Sequence, residues 1–335
     1  MLNKEETQGV ILDRVEMLQA PIAKANDIIR QSQFSLSLVE SRIVAYMLAN
    51  TNQKLGQFNY IQFRTRDFCN ACGISKTNPQ YVKNVIKRLY NKSIVVRIKR
   101  SDEHQNIISD SYVPIKILDD FEVAGKDGYV ALKFHDRLAP YFLELKKNFT
   151  LYYFGYSVFF KSKYSLPLYE LLKSYANMSL TAKQHVFNYR ISIEEFRSMM
   201  GLGTKLEHHS DLKRRILDVC VGEINQYTDI KVEMEEERYG KAVRFLLFRI
   251  SMKETKERLE ILNRAQEKMC MARKDVRIHS SKDDPGIIQE IEVGNGAKPF
   301  LPMDGMRADV LDKVVETVTY FTTEDDETGQ ISLSF

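Results

Sequence analysis

The chain has 335 residues, of which 44% are hydrophobic and 28% charged, values that suit a water-soluble protein of two or three domains. No apolar run approaches a membrane span, the opening "MLNKEETQGV" lacks the order of a signal peptide, and four cysteines in this length speak against a disulfide framework, so the cytoplasm is the expected compartment and no membrane contact is expected. The net charge of +4 is uneven: residues 256–335 hold 11 Lys and Arg against 16 Asp and Glu, a net of −5, which leaves +9 for residues 1–255. A basic body points weakly toward nucleic acid, and an acidic tail is a common solubility or interaction element.

Along the chain, the first apolar periodicity starts at "SLSLVE" (35–40) and continues through Ile43, Val44, Met47 and Leu48 at helical spacing. "RDFCNACGI" (66–74) reads as a second helix ending in a glycine turn, and "NPQYVKNVIKRLYN" (78–91) as a third, with Asn78 as N-cap, Pro79 at the first helical position and Val82, Val85, Ile86 and Leu89 inward. Two β-patterns, "SIVVRIKR" and "SDSYVPIKIL", follow as a hairpin. The same order then recurs. "SLPLYE" (165–170) opens a helix through Leu171, Leu172 and Tyr175, and "EEFRSMMGL" (194–202) matches the first half in its Phe, its Gly and the apolar residue after it. Residues 210–227 form a third helix with Ser210 as N-cap and Leu212, Ile216, Val219, Cys220 and Ile224 inward, and "DIKVEME" and "KAVRFLLFRI" close a second hairpin.

Each half is thus three helices and a hairpin, the order of a helix-turn-helix with a wing, and a duplicated unit is stronger evidence than either half alone. The predicted class is α+β, with two tandem winged-helix domains and a flexible C-terminal tail. The expected boundaries are an N-terminal segment over 1–21, domains over 22–147 and 148–252, and a helical, then largely disordered acidic tail over 253–335.

Lys213, Arg214 and Arg215 stand in the first two turns of the later third helix, where the macrodipole disfavours cations by a few tenths of a kcal/mol each. Opposite a polyanion the same placement is useful: Arg reads guanine bidentately and Lys neutralises phosphate. With Ser210 they form the expected second-half DNA-binding set. Gln80, Lys83, Asn84, Lys87 and Arg88 lie opposite the apolar stripe of the earlier third helix and form the first-half set, its Gln and Asn suited to adenine. A solvated outer face is the plain alternative for either helix taken alone.

At "NFTLYYFGYSVFFKSKYSLPLYELLKSY" (148–175) the chain resembles the plasmid replication initiators with two tandem winged-helix domains. The resemblance covers about residues 22–252 and rests also on "ISIEEFRSMMGL" (191–202), "DLKRRILDVCVGEIN" (211–225) and the wing over 229–250, with looser matches at "SLSLVESRIVAYMLA" and "GYVALKFHDRLAPYF". It implies a non-enzymatic protein that binds repeated double-stranded origin sites (iterons), helps open the duplex, recruits host replication proteins, and binds an inverted repeat as a homodimer to repress its own gene. In that family the later recognition helix carries base and phosphate contacts, a role that falls here to Lys213, Arg214 and Arg215. Pro167 departs from the family, which commonly has Arg in the "YSxRLYELL" element, so that arginine's contact is not carried over to this chain.

Other signals carry less. Cys69 and Cys72 form a CxxC with no second pair near, and read as small buried residues rather than zinc ligands. His208 and His209 read as polar loop residues, since the resemblance to rolling-circle nicking enzymes would need two histidines one residue apart on a strand. No P-loop is present, "GNGAKPF" does not match one, and no cofactor or metal is expected. The aromatic run Tyr152 to Phe160 reads as packing between the halves rather than as a stacking surface for single strands, because no cation interleaves it. At the end of the chain "QISLSF" resembles the bacterial sliding-clamp-binding peptide, with Gln330, Ile331, Leu333 and Phe335 as anchors behind an acidic spacer. The competing readings are a repressor of the same architecture, a nicking enzyme, and a protein scaffold built on winged helices.

Overall fold

The computed structural model describes residues 18–31, 36–53, 55–65, 68–69, 79–101, 107–123, 128–181, 186–271, 276–280 and 288–293. The chain divides into two units, residues 1–253 and 254–335.

In the first unit, strand β1 (Pro21–Ala25) runs into helix α1 (Asn26–Gln31). "SLSLVE" then starts helix α2 (Leu38–Ala49) by a capping box: Glu40 N donates to Ser37 Oγ at 3.4 Å and Ser37 N donates to Glu40 Oε2 at 2.7 Å. The same buried Glu40 receives Lys92 Nζ at 2.6 Å and lies 3.9 Å from Arg88 Nε, so one carboxylate both caps α2 and ties it to the next elements. Burial pushes its carboxyl up, and the hydrogen bonds from Lys92 and Ser37 pull it below its ordinary range. Strand β2 (Ile61–Arg64) follows. The expected second helix, Cys72 and the Asn78 N-cap lie outside the described residues save Phe68 and Cys69, both buried, the thiol of Cys69 pushed up to about 11 by that burial.

Helix α3 (Pro79–Tyr90) has Pro79 at its first position and buries Val82, Val85, Ile86 and Leu89, the predicted stripe. Strands β3 (Ser93–Ser101) and β4 (Ile107–Lys116) form the expected antiparallel hairpin, in register from Ser93 opposite Lys116. Two more strands, β5 (Leu118–Val123) and β6 (Tyr129–Phe134), join β2 in a three-stranded sheet of order β2-β6-β5, which the hairpin reading did not contain. Strand β7 (Phe149–Tyr153) returns to pair with β1, Ala25 opposite Phe149 and Pro21 opposite Tyr153.

Helix α4 (Ser165–Thr181) stands at the centre, touching α1 and β7 on one side and the later strands on the other, and every residue from Ser165 to Ser174 is buried. A helix buried this way must pair its charged residues, and Glu170 accepts from Lys24 Nζ at 2.6 Å while Lys173 Nζ donates to Asp229 Oδ2 at 2.6 Å. Pro167 falls in its first turn, where no intrahelical donor is lost. Strand β8 (Val186–Ser192) leads into helix α5 (Ile193–Met199), where Ser192 Oγ accepts from Glu195 N at 3.1 Å.

The turn after α5 holds Gly201 and Gly203 at positive φ, and Arg197 binds it together through the carbonyl oxygens of Gly203, Lys205 and Leu206 at 2.6–2.9 Å. Helix α6 then runs through three segments, His209–Leu212, a π-helical turn over Lys213–Leu217, and Asp218–Tyr227. Strands β9 (Ile230–Tyr239) and β10 (Ala242–Met252) form the second wing, turning at Gly240, and complete a sheet of order β8-β10-β9. Each half therefore carries a helix, a basic helix and a wing in the same order, the tandem winged-helix arrangement.

The aromatic run packs inward between the halves. Tyr152, Phe154, Tyr156 and Phe160 are buried; Phe154 meets Tyr46 of α2 edge-on at 6.2 Å, while Tyr152 and Phe160 meet Tyr169 of α4 at 5.4 and 6.2 Å. In the second unit, helix α7 (Thr255–Met271) buries Ile261, Leu262 and Ala265, with Leu259 half-buried. Beyond it, where the composition suggested a loose tail, the described residues include an antiparallel hairpin, β11 (Val276–Ser280) with β12 (Ile288–Val293). The "QISLSF" residues lie outside the described residues.

Candidate nucleic-acid interface

The reason α6 contains a wide turn is visible in its apolar spacing. In a continuous α-helix Leu212 and Val219, seven apart, would share a face. A turn closed by i→i+5 bonds holds about one extra residue and rotates what precedes it by roughly a quarter turn. Leu212 thereby joins Ile216, Leu217, Cys220 and Ile224 in the core, and Val219 is left 40% exposed. The inward place predicted for Val219 is corrected by this rotation; Leu217 fills the core instead.

The start of α6 differs from expectation too. Its N-cap is His208, and Ser210, predicted as the cap, is an exposed residue inside the first turn. Lys213, Arg214 and Arg215 consequently sit in the second turn rather than at the terminus, where the dipole penalty has largely fallen away. Their guanidinium and ammonium groups are turned to solvent, Arg214 with 72% and Arg215 with 61% of the side chain exposed. Asp211 Oδ1 receives Arg214 Nη2 at 2.9 Å and lies 3.5 Å from Arg215 Nε, and Asp218 receives Lys213 across the wide turn. The Arg214 hydrogen bond, with both arginine charges, holds the Asp211 carboxyl below its ordinary range.

His209 is not a loop residue. It opens α6, with Nε2 2.9 Å from Glu236 Oε1 on β9, and so joins the basic helix to its wing. Burial pushes the Glu236 carboxyl up, and His209 and Arg238 pull it below its ordinary range. A second clasp lies lower down: Val232 N donates to Asn225 Oδ1 at 2.7 Å, and Asn225 Nδ2 donates to Val232 O at 2.9 Å. Glu223 of α6 accepts from Lys161 N, Ser162 N and Ser165 Oγ at the start of α4, fixing the helix from behind.

The second wing supplies residues that the sequence pattern did not single out. Its tip exposes Arg238 and Tyr239 at the end of β9, Gly240 and Lys241 in the turn, and Arg244 near the start of β10. The signal was in "ERYGKAVR", a basic hairpin tip read only as a turn. In the first half, Gln80, Asn84, Lys87 and Arg88 are exposed on α3 and Lys83 is half-buried. Gln80 Nε2 donates to Asn84 Oδ1 at 3.2 Å, and Arg88 turns back toward Glu40. Among the described residues no group of three His, Cys, Asp or Glu side chains could hold a metal ion, and no helix is long and apolar enough to cross a membrane.

Comparison with known proteins agrees with this architecture. The family model described as initiator replication protein, WH1, matches residues 21–173, and that described as initiator Rep protein, WH2, matches residues 192–250. A replication initiation protein of Escherichia coli is 29% identical over 140 residues, which is 41% of this chain; the chain spans 42% of that relative's length. The crystal structure of Pi initiator protein in complex with iteron DNA superposes with a TM-score of 0.55 at 21% identity, over 71% of this chain and 99% of that one. Domains 2 and 3 of RctB match with a TM-score of 0.39 at 12% identity, over 65% of this chain and 83% of that one. With matched regions that cover both halves and the tandem winged-helix fold in place, the chain belongs to the family of initiator replication proteins built on the paired winged helices WH1 and WH2.

Proposed function

We propose that this chain is a sequence-specific DNA-binding plasmid replication initiator that reads repeated origin sites through α6 and α3. The observation that carries the reading is the solvent-facing set of Lys213, Arg214 and Arg215 on a helix clasped to a wing with a basic tip, in a chain that carries helix and wing twice. Arg214 and Arg215 serve base edges and phosphate, Lys213 and Ser210 phosphate; Gln80, Lys83, Asn84, Lys87 and Arg88 are the first-half counterparts. The Pi initiator was crystallised in complex with iteron DNA, and that ligand class is the one proposed for this chain. The protein acts in the cytoplasm without catalysing a reaction or holding a cofactor. It opens the origin with binding energy and host replication proteins, and as a homodimer it represses its own gene. The working boundaries are 1–21, 22–147, 148–252 and 253–335, and Gln330, Ile331, Leu333 and Phe335 dock on the host sliding clamp. A peptide of residues 324–335 should bind the clamp and lose that binding on Leu333→Ala.

The main test is footprinting on the DNA flanking the protein's own gene. Protected direct repeats spaced by about one or two helical turns are expected, with log K falling by about 0.9 per phosphate neutralised for each decade of salt. Arg214→Ala with Arg215→Ala should abolish protection. A single inverted-repeat footprint would leave a repressor, and no footprint at low salt would overturn DNA recognition altogether.

A further inference from the structure

The cations of α6 are not free in the unbound protein. Residues 211–218 read Asp-Leu-Lys-Arg-Arg-Ile-Leu-Asp, three cations bracketed by two acids, and all three are held by those acids. Asp211, in the first turn, has an ordinary helical reason to be there, since an acid near an N-terminus offsets the dipole. Asp218 has none: it lies mid-helix, five residues after Lys213. In a regular α-helix residues five apart point well away from each other, because neighbours on one face are three or four apart. They meet here because the π-helical turn runs from Lys213 to Leu217. The wide turn thus does two things, burying Leu212 and delivering Lys213 to Asp218.

For stability such exposed pairs are worth little, about 0–1 kcal/mol. For a helix that binds a polyanion they are costly, since each carboxylate occupies a cation and is itself repelled by phosphate. We propose that Asp211 and Asp218 are specificity-determining residues, which keep Lys213, Arg214 and Arg215 off phosphate on DNA of the wrong sequence. This rests on the reading of α6 as a DNA-binding helix.

Specificity is a difference of affinities. On any duplex, a cation that leaves its carboxylate for a phosphate exchanges one anion for another and gains little, while the abandoned carboxylate faces the DNA charge. On the right sequence the exchange is repaid at the base edges, where Arg meets guanine bidentately. A weak general attraction combined with a strong local one widens the gap between correct and incorrect sites, and an unfavourable element against the wrong partner is one of the two ways to build that gap.

The test uses the full-length chain and two probes: a duplex from the DNA flanking its own gene and a scrambled duplex of equal length and base composition. Fluorescence anisotropy gives both affinities across salt concentrations. Asp211→Asn and Asp218→Asn should each tighten binding to the scrambled duplex by roughly fivefold, the equivalent of one exposed ion pair. Binding to the gene-flanking duplex should change by less than about twofold, and the salt slope on scrambled DNA should steepen by about one unit per acid removed. Asp211→Glu, which keeps the charge, should keep the wild-type ratio. An unchanged ratio in both amide variants, with Arg214→Ala and Arg215→Ala still abolishing binding, overturns the proposal and leaves the DNA-binding reading intact. Selective weakening on the gene-flanking duplex overturns it in favour of direct base contact by the acids. If the arginine variants bind both duplexes as the wild type does, the reading of α6 itself fails and this proposal with it.

Discussion

Lys173→Met should destabilise the protein by about 3–5 kcal/mol, the cost of leaving a buried charge without its partner. Lys173 Nζ donates to Asp229 Oδ2 at 2.6 Å, with only 5% and 8% of the two side chains exposed, and Tyr169 Oη donates to Asp229 Oδ1 at 2.8 Å. Lys173 and Tyr169 belong to α4, and Asp229 lies just ahead of β9, so the group joins the central helix to the base of the second wing. Burial beside Asp229 drives the Tyr169 phenol well above its ordinary range, so it stays a neutral donor. The pair's own contribution is a different quantity from the cost of breaking it. A triple variant, Lys173→Met with Asp229→Leu and Tyr169→Phe, removes every polar member and should recover to within about 1–2 kcal/mol of the wild type. Urea unfolding of the single and triple variants separates the two; equal losses in both would mean that shape, not charge, governs the site.

Phe154→Ala should cost about 3–5 kcal/mol, and Phe154→Leu no more than about 1.5 kcal/mol, because the first empties a fully buried site and the second nearly refills it. Phe154 has no exposed surface, lies against Tyr46 of α2, and its backbone N donates to Ala20 O at 3.0 Å. The measurement also decides what the aromatic run is for. If it holds the halves together, Phe154→Ala lowers the unfolding free energy while the salt slope of DNA binding by the folded fraction stays as in the wild type. A variant of wild-type stability with weakened binding to single strands would make the run a stacking surface instead.

Much of this architecture is legible along the chain. The two "SLxLxE" openings, the Phe…Gly pair before α6 and the paired β-patterns are local signals, each set by short-range capping, periodicity or turn chemistry, and the repetition of helix and wing supplied the fold. The stripe of α3 was legible for the same reason, since Val82, Val85, Ile86 and Leu89 follow an unbroken helical period. The position of basic residues on the later helix was equally open to inspection. The register of α6 was not. Whether Val219 or Leu217 enters the core depends on a wide turn that the 3.6-residue period cannot reveal, because both are aliphatic and both fit an apolar helix. The pairing of β1 with β7 and the buried Lys173–Asp229 contact were likewise invisible, since they join distant parts of the chain, 56 residues apart in the second case, and are chosen by packing around α4. The sequence by itself determined the duplicated helix-and-wing plan and the charge on its two helices, for these rest on neighbours along the chain. Tertiary structure alone decided which face of α6 meets solvent, that His209 clasps the wing, and that Asp218 reaches Lys213 across the wide turn, because each depends on distances that only the folded backbone creates.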